Sequence, residues 1–278
     1  MVNNEQRRRQ LAREKFERQQ RRRAQARSKA RRRNAVLASG LVLLLAAGAT
    51  AYAAGGLGGG DEKAGADAAP SASPGKAPDP CAKPAPGAPK NLQWKKEPAL
   101  TIDTSASYTM ELRTTCGDIT LGLDADKAPR TVNSFNFLAG KGYFDHTKCH
   151  RLTSGGVFVL QCGDPKGTGA GDPGYTIPDE NLKDPKLSKK IYPAGTVAMA
   201  NRYDAKNKKN RNSGGSQFFL VYQDSQLPPD YTPFGTIDGG KDALKKIVDA
   251  GAEAQDQQTG NTAPNATVVI NKAVVKKS

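Results

Sequence analysis

Cys149-His-Arg-Leu-Thr-Ser-Gly-Gly-Val-Phe-Val-Leu-Gln-Cys-Gly163 is the stretch whose reading decides the fold. Two β-prone runs flank a Ser154-Gly155-Gly156 turn, the pattern of a hairpin. Arg151, Phe158 and Gln161 stand along it: one fixed cation, one aromatic ring and one amide. Alternation of side chains along a strand can bring such residues onto one face of a sheet. Two later runs have a related make-up. Gly195-Thr-Val-Ala-Met-Ala-Asn201 is a short apolar strand ending in a polar residue, and Gly214-Gly-Ser-Gln-Phe-Phe-Leu-Val-Tyr222 pairs an amide with aromatic rings.

Outward from the hairpin, Tyr108 to Arg113 and Asp118 to Leu123 read as strands around a Cys116-Gly117 turn. Ala128 to Gly140 reads as a helix, with Pro129 in its first turn, a Val132, Phe135, Leu138 stripe and Gly140 as its stop. Gly167 to Pro178 is a Gly- and Pro-punctuated loop; it lacks Gly-Lys-Ser/Thr, so its Gly-x-Gly-x-Gly is read as structural. Asp242 to Val248 is a second helix with Leu244, Ile247 and Val248 facing in, and Thr267 to Val275 a last strand. Many short strands with two helices predict a mainly β protein built on a closed antiparallel barrel.

Taken in order, and followed by Phe234-Gly-Thr-Ile237, these runs resemble the cyclophilins, the peptidyl-prolyl cis/trans isomerases, across residues 105 to 276. The resemblance implies an eight-stranded barrel with a helix over each open end, no cofactor, and proline-containing peptides or proteins as clients of a monomeric catalytic domain. It assigns Arg151 the stabilising cation, Gln161 the amide that hydrogen-bonds substrate backbone, and Asn201 a main-chain grip. Phe158, Phe219 and Leu227 match residues lining an apolar proline pocket, with Val159 and Ala200 as smaller contributors. Gln217 and His150 match further substrate-binding positions. Tyr231 stands where familiar eukaryotic members carry a second histidine and Gln226 where they carry a tryptophan, which implies weaker cyclosporin binding; the hairpin turn is two residues longer. Against this stands a plainer reading, in which Phe158, Val159, Phe219 and Leu227 are barrel core. A further alternative keeps the fold as a non-catalytic binder of proline-containing segments.

Charge is unevenly placed. Residues 1–34 hold twelve Arg and two Lys against three Glu, a formal +11 of the chain's +15, leaving +4 for the other 244 residues. Arg clusters suit nucleic acid, but the adjoining apolar run explains this head better, and no nucleic-acid partner is expected. Residues 35–54 are uncharged and rich in Leu, Val and Ala. As a helix they would span about 30 Å, the thickness of a bilayer's hydrocarbon core. With Arg31-Arg32-Arg33 beside them, they read as a signal anchor that keeps residues 1–34 cytoplasmic and the remainder outside. A cleaved signal ending near Ala51-Tyr52-Ala53 is the alternative, and Arg32-Arg33 raises a twin-arginine signal weakly. Residues 55–89 read as a Gly-, Pro- and Ala-rich disordered linker and residues 90–278 as the folded domain. The loop after Asn201 crowds Arg202, Lys206, Lys208, Lys209 and Arg211, either a solvated surface or a selector for acidic partners.

All four cysteines lie beyond the apolar run, where disulfides are permitted. Four cysteines allow three pairings, and sequence alone does not choose. A turn centred near Gly155-Gly156 would set Cys149 nearly opposite Cys162 and leave Cys81 for Cys116; four free thiols are the alternative. No metal site is expected, although His146, Cys149, His150 and Cys162 are a zinc-compatible set by ligand type.

Overall fold

The computed structural model describes residues 78–187, 189–255 and 262–277. The basic head, the apolar stretch 35–54 and residues 55–77 of the linker lie outside them. Among the described residues no helix is long and apolar enough to cross a membrane.

Strands β1 (Tyr108–Thr114) and β2 (Gly117–Leu123) form a hairpin whose alternation sorts the side chains. Met110, Leu112, Ile119 and Leu121 are fully buried, while Glu111 and Arg113 between them face out and pair with each other. Each such burial contributes about 1.5–3 kcal/mol. Gly117 turns the chain at a φ of 122°, where a Cβ would strain.

Helix α1 (Pro129–Gly140) opens on proline and buries Val132, Phe135 and Leu138. No side chain of its own caps it. Instead Glu180, far along the chain, accepts from the amides of Arg130 (3.1 Å) and Thr131 (2.9 Å) and from the Thr131 hydroxyl. Phe135 then packs its ring against Phe144, Phe218 and Phe234. Helix α2 (Lys241–Asp249) turns Ala243, Leu244 and Ile247 inward.

The remaining strands are β3 (Thr147–Lys148), β4 (Arg151–Ser154), β5 (Phe158–Cys162), β6 (Ile191–Tyr192), β7 (Thr196–Met199), β8 (Phe218–Val221), β9 (Ser225–Gln226), β10 (Pro233–Gly239) and β11 (Val269–Lys277). Nine of the eleven make one antiparallel sheet in the order β3-β11-β1-β2-β10-β7-β8-β5-β4, and β6 pairs with β9 as a separate ribbon. The expected closed ladder of eight is therefore a curled sheet of nine. Its two edges, β3 and β4, are successive pieces of one segment broken at Cys149 and His150, the first paired with β11 and the second with β5. The core fills the inside of the curl.

Residues 78–106 have no regular structure but are held against the sheet. Cys81 is bonded to Cys116, the Ala82 amide donates to Thr115, and Asp79 accepts from the Thr267 amide. Ala85 donates to Asn271, and Trp94 packs edge-on to Phe137 at 5.1 Å. The last twelve residues of the stretch that composition reads as linker thus run along the folded unit.

Candidate functional site

Strand register sets Arg151 opposite Gln161, Gln161 opposite Phe219, and Phe219 opposite Ala198. Directly opposed residues share a face, so these four form a row across four strands. Their neighbours Leu152, Leu160, Phe218 and Leu220 point the other way into the main core. Val159, Ala198, Phe219 and Val221 instead build a second apolar cluster on the outer face with Leu187 and Tyr192; Val157, Ala200, Leu227 and Tyr231 pack on it. Val159 and Phe219 are thus buried in this second cluster, with Leu227 packed on it, apart from the main core.

Two tyrosines shape this patch. Tyr192 is fully buried, and its hydroxyl donates to the Tyr231 carbonyl (2.6 Å) while accepting from the Tyr231 amide (3.1 Å). Phe219 meets the Tyr231 ring edge-on at 5.5 Å. Burial pushes the Tyr231 hydroxyl above the ordinary tyrosine range, Asp230 adds to this, and the charge of Arg151 opposes it. The phenol therefore stays protonated at neutral pH with the guanidinium in electrostatic reach.

The polar half is an amide relay. Gln217 donates its Nε2 hydrogens to the carbonyls of Gly169 (3.0 Å) and Gly171 (2.8 Å), which leaves its Oε1 facing Gln161. Gln161 must then donate from Nε2 at 2.9 Å, and its own Oε1 and second N–H have no partner among the described residues. The loop carrying Gly169 and Gly171 is wrapped on the buried carboxylate of Asp164, which accepts from the amides of Lys166, Thr168 and Gly169. Burial would raise Asp164, but the Lys166, Gly171 and Gly169 amides outweigh it and hold the group below the usual carboxylate range. The glycine-rich loop thus turns its amides on its own aspartate. Asn201 donates to the Asp230 carbonyl and accepts from the Tyr203 amide, so its side chain is committed to its own loop. A polar cavity of about 80 Å³ lies between Gln161, Ala200, Asn201, Arg202 and Gln217.

Two residues expected at the site, Phe158 and His150, lie off this row. Phe158 pairs with Ser154, on the face shared by Leu152 and Leu160, and its ring packs edge-on to Tyr222 at 5.9 Å. With three residues between β4 and β5, the odd-numbered positions face outward, so Val157 occupies the patch. His150 is 5 % exposed, and both its ring nitrogens lack a partner among the described residues. Burial lowers its basicity, Asp164 opposes this and Arg151 adds to it, so the ring is neutral and does not reach the open face. Cys149–Cys162 and Cys81–Cys116 are both disulfides, which removes the thiolates a zinc set would need. Sequence reasoning misses Tyr192, Ala198 and Val221. Alternation around Phe219 is a signal that reaches Val221, whereas Tyr192 lies outside every motif.

The sequence matches the family model "Cyclophilin type peptidyl-prolyl cis-trans isomerase/CLD" over residues 109–275. It is 46% identical over 173 residues to a "Probable peptidyl-prolyl cis-trans isomerase B" of Mycobacterium leprae, covering 59% of this chain and 55% of that protein. A relative of the same description from Mycobacterium tuberculosis is 45% identical over 172 residues, covering 59% of this chain and 53% of its own length. The chain thus spans about half the length of these curated relatives. A solved cyclophilin-type isomerase of Cryptosporidium parvum is 27% identical with a TM-score of 0.49, covering 62% of this chain and 99% of that one. The family match spans the β1–β2 hairpin, the Arg151–Gln161–Phe219 row and most of β11, and on it this chain belongs to the cyclophilin-type peptidyl-prolyl cis/trans isomerase family.

Proposed function

We propose that this chain catalyses cis/trans exchange of Xaa-Pro bonds, and that the row Arg151–Gln161–Phe219 beside a separate apolar patch is the catalytic site. That juxtaposition is the observation that carries the reading. An apolar ring binds against Phe219, Val159 and Leu227, as a prolyl ring requires. The reaction needs no nucleophile and no proton transfer. The barrier of about 18–20 kcal/mol comes from amide conjugation, and the isomers differ by only about 0.5–1 kcal/mol.

As the C–N bond twists, the nitrogen lone pair localises and becomes an acceptor. A guanidinium aimed at it stabilises the twisted amide more than either planar form, which is what acceleration demands. Arg151 is exposed on its strand, and its planar guanidinium presents its donors in a fixed fork. Gln161, oriented by Gln217, offers an acceptor and a donor to substrate backbone. Uncatalysed exchange takes tens of seconds, so ordinary turnover requires only about 4–7 kcal/mol off the barrier.

The same proposal places the catalytic domain outside the cytoplasmic membrane, anchored by residues 35–54, where it would assist folding of proline-containing proteins. The uncharged run behind Arg31-Arg32-Arg33 supports this, and so do two disulfides, which persist in oxidising compartments. Protease added to intact cells should digest the domain; protection of it would refute this placement. For the chemistry, the full chain should accelerate exchange in a proline tetrapeptide. Arg151→Ala should lower kcat/KM by about 100-fold or more with an unchanged melting temperature. Near-full activity in that variant would refute the mechanism, and peptide binding without turnover in the parent chain would mark a binding module instead.

A further inference from the structure

The loop that leaves the site at Asn201 and returns at Ser213 carries five basic residues and one acidic residue. Its charges divide into two sets. The arginines are committed: Arg202 to Asp172 at 2.8 Å, and Arg211 to both Asp230 and Asp179 while stacked on the Tyr203 ring. The loop's own acid, Asp204, accepts from the Lys206 and Asn207 amides and the Asn207 side chain. Lys206, Lys208 and Lys209 are exposed and form no ion pair among the described residues.

Geometry holds these three lysines in place. The Arg202 amide donates to Ser213 Oγ, which donates to Asn210, closing the base. Above it Asp204 and Lys209 exchange backbone bonds of 2.9 and 3.2 Å, so Lys206 and Lys208 stand on a small hairpin tip. Arg202 and Ser213 also line the polar cavity that Gln161 and Gln217 share. A substrate lying across Gln161 therefore meets the base of a braced loop whose tip carries three lysines against the single carboxylate of Asp204. At about 0.15 M salt the field of such charges extends roughly 8 Å.

We infer that this loop is a specificity element of the proposed isomerase site, selecting proline segments that carry Asp or Glu a few residues from the proline. The inference rests on the isomerase reading for its substrate class, and on the loop alone for its preference. Complementary charge acts mainly on encounter and on rejection of the wrong partner. Acidic peptide is favoured over an anionic lipid surface because the loop's one large ring, Tyr203, is covered by Arg211 and offers nothing to insert into a bilayer.

The test uses the full chain and three peptides that differ only in a Glu, Gln or Lys placed two residues before an Ala-Pro bond. Both kcat/KM and Kd are measured. The expected order is Glu over Gln over Lys, spanning about tenfold at low salt and collapsing at high salt. In the Lys206→Glu, Lys208→Glu, Lys209→Glu variant the order should reverse; in the corresponding triple Gln variant it should vanish. Equal constants across the peptides, or an order untouched by both variants, would overturn the inference. So would loss of binding to phosphatidylserine vesicles in the variants without any change in peptide preference. Failure to turn over any peptide would sink the isomerase reading, while the Kd order would still decide the preference.

Discussion

Gln217 decides which end of the Gln161 amide faces the open row. Its own hydrogens are spent on Gly169 and Gly171, so only its oxygen is left for Gln161. Gln217→Leu removes the acceptor and frees Gln161 to rotate. The expected result is a loss of about 10- to 100-fold in kcat/KM with the fold intact. Gln217→Glu, which keeps the acceptor but loses the two donated bonds, should fall between. An unchanged kcat/KM in Gln217→Leu would show that the relay does not position Gln161.

The Cys149–Cys162 bridge ties the segment before β4 to the end of β5, next to the Arg151–Gln161 pair at the open end of the hairpin. Mild reductant should lower activity before it lowers the far-ultraviolet circular dichroism signal. A Cys149→Ala, Cys162→Ala chain should lose about 3 kcal/mol of stability and become insensitive to reductant in activity. Simultaneous loss of activity and structure would rule out a local role for the bridge.

His150 gives the stability a pH dependence whose sign follows from burial. Its folded basicity lies below the ordinary value of about 6.5, because desolvation disfavours the imidazolium. The unfolded chain then binds the extra proton. Stability is full above pH 6.5 and is lost as pH falls from there toward the folded value, where the loss levels off. Urea melts of wild type and His150→Leu between pH 5 and 7.5 check this: the variant should be flatter over that interval. Parallel slopes would mean that the imidazole titrates alike in both states.

Glu180 holds the first turn of α1 from across the chain. Glu180→Ala should cost about 1–2 kcal/mol, the range of a lost helix cap, read as a lower denaturant midpoint with the same slope. Glu180→Gln keeps an acceptor and should recover part of it. A null effect in Glu180→Ala would mean that water replaces the carboxylate without loss.

Much of this molecule is legible because alternation and helical stripes are local. The β1–β2 hairpin, α1 and the Arg151, Gln161, Phe219 set can each be read from side-chain order. The hidden parts depend on distant residues or on counting. The carboxylate that caps α1 is fifty residues away in Glu180. β10 opens on Pro233 and is broken by Gly235 and Gly239, so it reads as turn material until β2 and β7 are seen to flank it. The match to the family motif puts Phe158 in the pocket; alternation along β5 sets it on the face opposite Val159 and Gln161, and the two extra turn residues leave that parity unchanged. Tyr192 carries no local sign of its role, because its partner is the backbone of Tyr231.

The Cys81–Cys116 bond has a mechanical consequence. Tension arriving along the chain from before residue 81 crosses the sulfur bridge into the β1–β2 turn, and the 35-residue loop it closes is bypassed. A pull on the amino-terminal side therefore loads the tip of a hairpin whose strands are zipped to β10 on one flank and β11 on the other. The Pro-rich run just after Cys81, and the docked Trp94, are spared that force. Once the bridge is reduced the same pull would peel them off residue by residue.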